Sequence, residues 1–185
     1  GDPELRNRLR SVDAHATVEV DHQQPNRLRT DELFTLANDD MPSVHRFLPG
    51  ATETVLEASH SGYLRLDDPV LHRRRWILDD SSLEVSDELR CEREHEVSLA
   101  LPLAPGVSVQ ADPQRAGMTI YAGEHVVQLT LAGDIAAMWE TDSQPYADKY
   151  GEVVDSLVLR ARARIYGTTQ WTMKIDLLKS QLEID

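Results

Sequence analysis

The segment His60–Gly106, HSGYLRLDDPVLHRRRWILDDSSLEVSDELRCEREHEVSLALPLAPG, decides the fold class. Apolar and polar residues alternate within its short runs, so that Leu83 and Val85, for example, share one parity. Alternation with a period of two is typical of a β-strand with one buried face. Turn-forming residues at positions 79–82 and 105–106 separate the runs. The segment therefore predicts consecutive antiparallel strands.

The same pattern continues on both sides of this segment. Val18 and Val20 alternate with acidic residues before it, and Leu157–Tyr166 alternates apolar residues with arginines after it. About ten short strands result, at a spacing of roughly 8–12 residues, which favours a sandwich over a βαβ fold. We predict an all-β fold, a large antiparallel β-sandwich of about ten or more strands, with residues 1–185 as a single domain.

The composition limits the classes of partner. The formal net charge is −13 and the sequence pI is near 4.9, which argues against nucleic acid because phosphate binding needs a basic surface. No apolar run approaches the roughly 20 residues that span a bilayer. The single Cys91 excludes an internal disulfide framework, and we interpret it as a structural thiol. The first residues, GDPELRNRLR, lack an initiator Met and the apolar core of a signal peptide, so we expect a fragment of a longer protein.

Arginines near the N-terminus are candidates for binding an acidic substrate. Arg6, Arg8 and Arg10 would share one face if this segment were extended, as the strand pattern predicts. A guanidinium binds carboxylates and sulfates by a two-pronged contact. We predict Arg8 and Arg10 as substrate-binding residues. The alternative is a solvated strand face whose arginines pair with acids such as Glu4.

His15 is the candidate metal ligand. It shares the polar parity of the following strand pattern with Thr17 and Glu19. A strand that carries one histidine can supply one ligand to a zinc site completed by neighbouring strands. The alternative is a solvated or hydrogen-bonded histidine.

Several segments, in order, resemble the C-terminal β-sandwich of heparinase II/III-like polysaccharide lyases. Residues 10–21, RSVDAHATVEVD, are similar to the family's R-S-x-x-A-H-N-T-V-x-V-D. Residues 60–66, HSGYLRL, are similar to its H-x-G-Y-x-R-L. The stretches PVLHRR at 69–74, DEL at 87–89 and LPLAPG at 101–106 follow in the expected order. The resemblance covers nearly the whole chain.

The resemblance implies a two-part enzyme, in which a helical toroid precedes this sandwich. Such lyases cleave uronic-acid polysaccharides, such as heparan sulfate or alginate, by β-elimination with an acid and a base. The family's catalytic Tyr and most of the groups that neutralise the uronate carboxylate lie in the helical part. We therefore expect this portion to support catalysis rather than perform it, with an anionic polysaccharide and the missing N-terminal helical domain as partners. The alternative is a non-catalytic carbohydrate-binding or structural sandwich of a surface-polysaccharide assembly protein.

The resemblance also implies a structural zinc in several members, held by three residues. Only the histidine of the A-H-N-T strand has a counterpart here, His15, so we expect an incomplete site in this chain. Ala16 stands where the family usually has Asn, which leaves open a changed ligand environment or a member without zinc. The expected location is periplasmic or secreted, with cytoplasmic as the alternative.

Overall fold

The computed structural model of the protein describes residues 2–113, 117–149 and 151–178. These residues form two antiparallel sheets of four and eight strands, which confirms the predicted all-β sandwich. The helical elements are α1, Pro3–Leu9, and a short 3-10 helix, Val12–Ala14. The strands are β1 Val18–Val20, β2 Ser43–Leu48, β3 Glu53–His60, β4 Leu71–Asp79, β5 Ser82–Arg90, β6 His95–Pro102, β7 Ser108–Asp112, β8 Gly117–Ala122, β9 His125–Gly133, β10 Trp139–Lys149, β11 Glu152–Ile165 and β12 Thr168–Leu178.

The chain passes repeatedly between the two sheets. The smaller sheet has the strand order β1-β6-β11-β10, and the larger has the order β2-β3-β4-β5-β12-β9-β8-β7. The β5–β6 and β11–β12 connections therefore both cross from one sheet to the other. They cross at the same end of the sandwich, where the backbone N–H of Cys91 donates to the carbonyl of Gly167 at 3.0 Å.

The core lies between the facing sides of the sheets. Val85 and Leu89 of the larger sheet are buried together with Leu99 and Leu159 of the smaller sheet, around the fully covered Trp171. Each Å² of apolar surface that this core removes from water contributes about 25 cal/mol to the free energy of folding, and such burial is the main contribution that stabilises a sandwich. The predicted alternation in β5 is the observed one, since every second residue of the strand faces this core.

The N-terminal arginines do not lie on a strand face, so the expectation of an extended segment is wrong. The segment is helical because Asp2 caps it: its Oδ1 accepts hydrogen bonds from the backbone N–H groups of Glu4 at 2.9 Å and Leu5 at 3.2 Å. A proline opens the helix, where its missing N–H leaves no bond unmade. Because residues two apart on a helix do not face the same way, Arg6 and Arg8 diverge.

Candidate functional site

A polar cavity of about 150 Å³ lies where the end of α1 and the 3-10 helix meet the smaller sheet. Two arginines, Arg8 and Arg160, belong to its lining, so one of the residues predicted from sequence does line a cavity. The full lining consists of Arg8, Ser11, Asp13, Ala14, Asp142, Ser143, Gln144, Pro145 and Arg160.

Arg160 forms the rigid wall of this cavity. It is almost fully buried on β11, and its Nη1 donates to Oδ1 of Asp13 at 2.8 Å. Its Nη2 donates to Oε1 of Gln144 at 3.2 Å, and an oxygen of Asp142 lies 3.8 Å from its Nε. These partners balance the charge and fix the plane of the guanidinium.

Arg8 is the more available cation. Its backbone carbonyl accepts from the hydroxyl of Ser11 at 2.8 Å, which holds the end of α1 in place, while its side chain is exposed. No carboxylate within the described part of the chain pairs with this side chain. An anion that enters the cavity can therefore take donors from Arg8, while Asp13 and Asp142 can accept from hydroxyl groups. A sugar acid carries both an anionic carboxylate and hydroxyl groups.

Arg10 lies apart from this cavity and holds a loop. Its Nη1 and Nη2 groups donate to backbone carbonyls within residues 29–35 at 2.8–3.1 Å. Its Nε donates to Oδ1 of Asn7 at 2.9 Å. These contacts bind the loop to α1 and occupy the guanidinium. The structure therefore does not bring Arg8 and Arg10 into one binding cavity, and Arg8 is the better placed of the two.

His15 is exposed directly after the 3-10 helix and before β1. Among the residues that the structure describes, the one group of three potential ligands is Asp68, Cys91 and His95, and it does not include His15. The described residues around His15 therefore do not form a complete site for the zinc that the resemblance implies. The role of His15 as a zinc ligand stays a prediction.

A buried ionic network in the larger sheet was not predicted from the sequence. Asp87 is completely buried, and its oxygens accept from Nε of Arg74 at 2.6 Å, Nη2 of Arg74 at 3.0 Å and Nε1 of Trp171 at 3.1 Å. Nε2 of His72 lies 2.6 Å from the same carboxylate. Burial raises the pKa of Asp87, but the charge of Arg74 and the hydrogen bond from His72 outweigh burial and lower it to about 2. Asp87 is therefore ionised at neutral pH.

The network continues outwards through a second histidine. Nε2 of His60 lies 2.9 Å from Nδ1 of His72. Nδ1 of His60 lies 3.3 Å from the backbone nitrogen of Gly62 and 3.3 Å from Oδ1 of Asp40. With Asp87 ionised, Nε2 of His72 donates to it, and Nδ1 of His72 faces the ring of His60. Burial and the neighbouring His72 lower the pKa of His60 below its ordinary value of 6.5.

This lowered pKa predicts a pH dependence of stability. The unfolded chain takes up a proton on His60 more readily than the folded chain, so this contribution is complete above pH 6.5 and shrinks as the pH falls below it. We expect the advantage of the native protein over a His60→Gln variant, measured by urea unfolding, to decrease between pH 7.5 and pH 5.5, about one unit on either side of the ordinary pKa. A constant difference across that range would contradict the lowered pKa of His60.

Tyr63 is fixed as part of the scaffold. Its ring is fully buried, and its hydroxyl donates to the carbonyl of Val18 at 2.9 Å, which links the 61–70 loop to β1. Burial raises the pKa of this phenol above its ordinary value.

None of the helices among the described residues has the length and apolar character that a membrane span requires.

Comparisons with known proteins agree with this architecture. The family described as "Heparinase II/III-like, C-terminal" matches residues 1–172. The structure of heparan sulfate lyase HepC from Pedobacter heparinus superposes with a TM-score of 0.79 at 13% identity, covering 98% of this chain and 27% of that one. A crystal structure of heparinase III superposes with a TM-score of 0.75 at 16% identity, covering 98% of this chain and 26% of that one. The chain thus spans about a quarter of the length of these structures, and no curated protein matches it.

Proposed function

Because the chain belongs to the family described as "Heparinase II/III-like, C-terminal", we propose that it is the C-terminal β-sandwich of a lyase that cleaves uronic-acid polysaccharides by β-elimination. The observation that carries this proposal is the family match over residues 1–172. Two solved structures with the same fold are a heparinase III and a heparan sulfate lyase, each about four times as long as this chain. We place the catalytic groups in an N-terminal helical domain of the longer protein and assign a supporting role to this chain.

The chemistry divides naturally between two such parts. β-Elimination needs a base to remove the proton beside the uronate carboxyl group, an acid to protonate the leaving glycosidic oxygen, and a partner that neutralises the carboxylate. The polar cavity supplies groups that can neutralise a carboxylate. Arg8 would bind a carboxylate or sulfate of the polymer, and Asp13 and Asp142 would accept from its hydroxyls. Arg160, held by Asp13 and Gln144, keeps this wall of the cleft rigid.

The supporting role agrees with the environment of the candidate acids and bases in the described residues. The hydroxyl of Tyr63 is buried and bonded to a backbone carbonyl. The rings of His60 and His72 are bonded to each other inside the larger sheet. His95 lies between two carboxylates. Each of these groups holds the scaffold together, which is what a domain that shapes one side of a cleft requires.

In the longer protein, we assign His15 to a structural zinc as one ligand. Its exposure at the edge of the sandwich leaves it accessible to ligands from outside this chain. We also place the protein in the periplasm or outside the cell, where extracellular polymers are met, with the cytoplasm as the alternative.

A carbohydrate-binding or structural sandwich without lyase activity is the second candidate. The net charge of −13 favours it, because an acidic surface repels an extended polyanion. The deciding experiment incubates the full-length protein with heparan sulfate, alginate and other uronic-acid polymers and follows the ultraviolet absorbance of the new carbon–carbon double bond. We expect that absorbance to rise with at least one polymer. Binding without any double bond or shortening of the polymer would support the second candidate.

A further inference from the structure

A cluster of three different potential metal ligands lies where the chain crosses between the sheets. Asp68 comes from the loop between β3 and β4, Cys91 directly follows β5, and His95 begins β6. One ligand atom from each residue lies within 4.8 Å of the other two. Cys91 is therefore not an isolated thiol, although its neighbours in sequence favoured a purely structural role.

His95 is oriented as metal-binding histidines usually are. Its Nδ1 lies 2.6 Å from Oδ2 of Asp21, and the other oxygen of Asp21 accepts from the backbone N–H of Glu96 at 2.9 Å. A carboxylate on one ring nitrogen fixes the tautomer and directs the lone pair of the other nitrogen to a metal. That other nitrogen, Nε2, points into the cluster, 2.8 Å from Oδ2 of Asp68.

Asp68 is held just as firmly. It is buried, and its Oδ2 accepts from the backbone N–H groups of Glu92 at 3.1 Å and Arg93 at 2.8 Å. These two bonds turn the carboxylate towards His95 and shape the connection that carries Cys91. The thiol itself makes only a long contact, 3.6 Å from Sγ to the carbonyl of Gly167. Rotation of the side chain towards a cation would therefore break only this contact.

We propose that Asp68, Cys91 and His95 bind a divalent transition metal, with zinc as the best match, and that Asp21 orients His95 from behind. One sulfur, one nitrogen and one oxygen donor suit a borderline cation such as Zn²⁺ or Co²⁺ better than Ca²⁺ or Mg²⁺. An adjoining cavity of about 440 Å³, whose lining includes Asp21, Asp68 and His95, gives room for a water molecule as the fourth ligand.

Binding needs only modest adjustment. In a tetrahedral site with bonds near 2.0 Å, the nitrogen and oxygen would stand about 3.3 Å apart, so the present 2.8 Å contact opens by about half an ångström. Without metal, the hydrogen bonds to Asp68 and Asp21 raise the pKa of His95 although burial opposes this, and burial raises the pKa of the Cys91 thiol. Metal binding would displace the proton on Nε2 of His95 and the thiol proton.

The proposed site is independent of the proposed function and of the zinc implied at His15. It contains none of the residues of that implied site, and it holds together the β5–β6 crossing rather than the edge near the 3-10 helix. Since the β3–β4 loop meets the β5–β6 connection at the cluster, bound metal would connect the two sheets at this end of the sandwich.

Cobalt(II) gives the most specific test, because a thiolate ligand adds a near-ultraviolet charge-transfer band. The full-length protein is first stripped with a chelator and then titrated with Co²⁺. We expect one equivalent to bind with this band in the native protein, separately from any Co²⁺ at the site that includes His15, which has no thiolate from Cys91. We expect Cys91→Ser to lose the band and His95→Gln to weaken binding by about tenfold or more. His125→Gln, an exposed histidine on β9, serves as the matched control and should bind as the native protein does.

Different results support or overturn the proposed metal site. Absence of Co²⁺ binding to the folded native protein would overturn the proposal, as would a band that persists in Cys91→Ser. Loss of all binding in His15→Ala, with Cys91→Ser unaffected, would assign the metal to the other site. If His95→Gln fails to fold, the near-isosteric Cys91→Ser, checked by its urea unfolding curve, carries the test alone.

Discussion

Replacing Asp87 with alanine is expected to lower the free energy of unfolding by about 3–5 kcal/mol. The substitution leaves Arg74 as a buried cation without its carboxylate and removes the acceptor from His72 and from Nε1 of Trp171. An uncompensated buried charge is among the most destabilising changes that a single substitution can make. Urea unfolding of the native and variant proteins measures the difference.

A neighbouring carboxylate provides the matched control for Asp87. Glu88 follows it in β5, points to the opposite side of the sheet and pairs with Arg90 near solvent. Glu88→Gln should change the free energy of unfolding by less than about 1 kcal/mol. Similar losses for Asp87→Ala and Glu88→Gln would contradict the structural importance of the buried network.

The same network predicts a loss of stability at acid pH. The pKa of Asp87 in the folded chain, about 2, lies below its ordinary value of 3.8. Its contribution is therefore complete above the ordinary value and is lost as the pH falls from there towards 2. A folded Asp87→Asn variant should lack this part of the acid-induced loss of stability.

Replacing Arg8 with alanine is expected to raise KM for the polysaccharide about tenfold in the full-length protein, with kcat nearly unchanged. This expectation rests on the proposed function. Arg8 lines the polar cavity, and its side chain has no carboxylate partner in the described segments, so its donors are available to a substrate anion. A residue that binds the ground state and the transition state equally affects KM rather than kcat.

Two variants separate binding by Arg8 from a general loss of positive charge. Arg8→Lys keeps the charge but loses the two-pronged contact, so KM should rise to an intermediate value. Arg162→Ala removes a more remote arginine on β11 that pairs with Glu140, and KM should stay at the native value. A fall in kcat with unchanged KM for Arg8→Ala would instead place Arg8 in the chemical step.

The sandwich itself was predictable because period-two alternation is a local property of the chain. Val85 and Leu89 face the core as the alternation of β5 predicts. The N-terminal helix was missed because alternating arginines imitate a strand face. The capping residue Asp2 and the following Pro3 and Glu4 were the better signals for a helix start.

The two buried polar clusters depend on contacts that the sequence does not display. Asp87 did offer one sign, since it occupies the apolar parity of β5, where an acid needs a buried partner. The Asp68, Cys91 and His95 cluster joins the β3–β4 loop to the two ends of the β5–β6 connection, and Asp68 meets the other two residues only in the folded sandwich. Likewise, the pairing of Arg160 with Asp13 joins residues at opposite ends of the chain.

The most direct test of the central claim compares the full-length protein with the 185-residue chain on the same uronic-acid polymer. Folding of the separate chain is verified first by its tryptophan fluorescence. The measurement is the ultraviolet absorbance of the unsaturated uronate formed by β-elimination. We predict that the full-length protein produces this absorbance and that the folded chain alone does not. Unsaturated product from the chain alone, or none from the full-length protein with any uronic-acid polymer, would contradict the assignment of a supporting lyase domain.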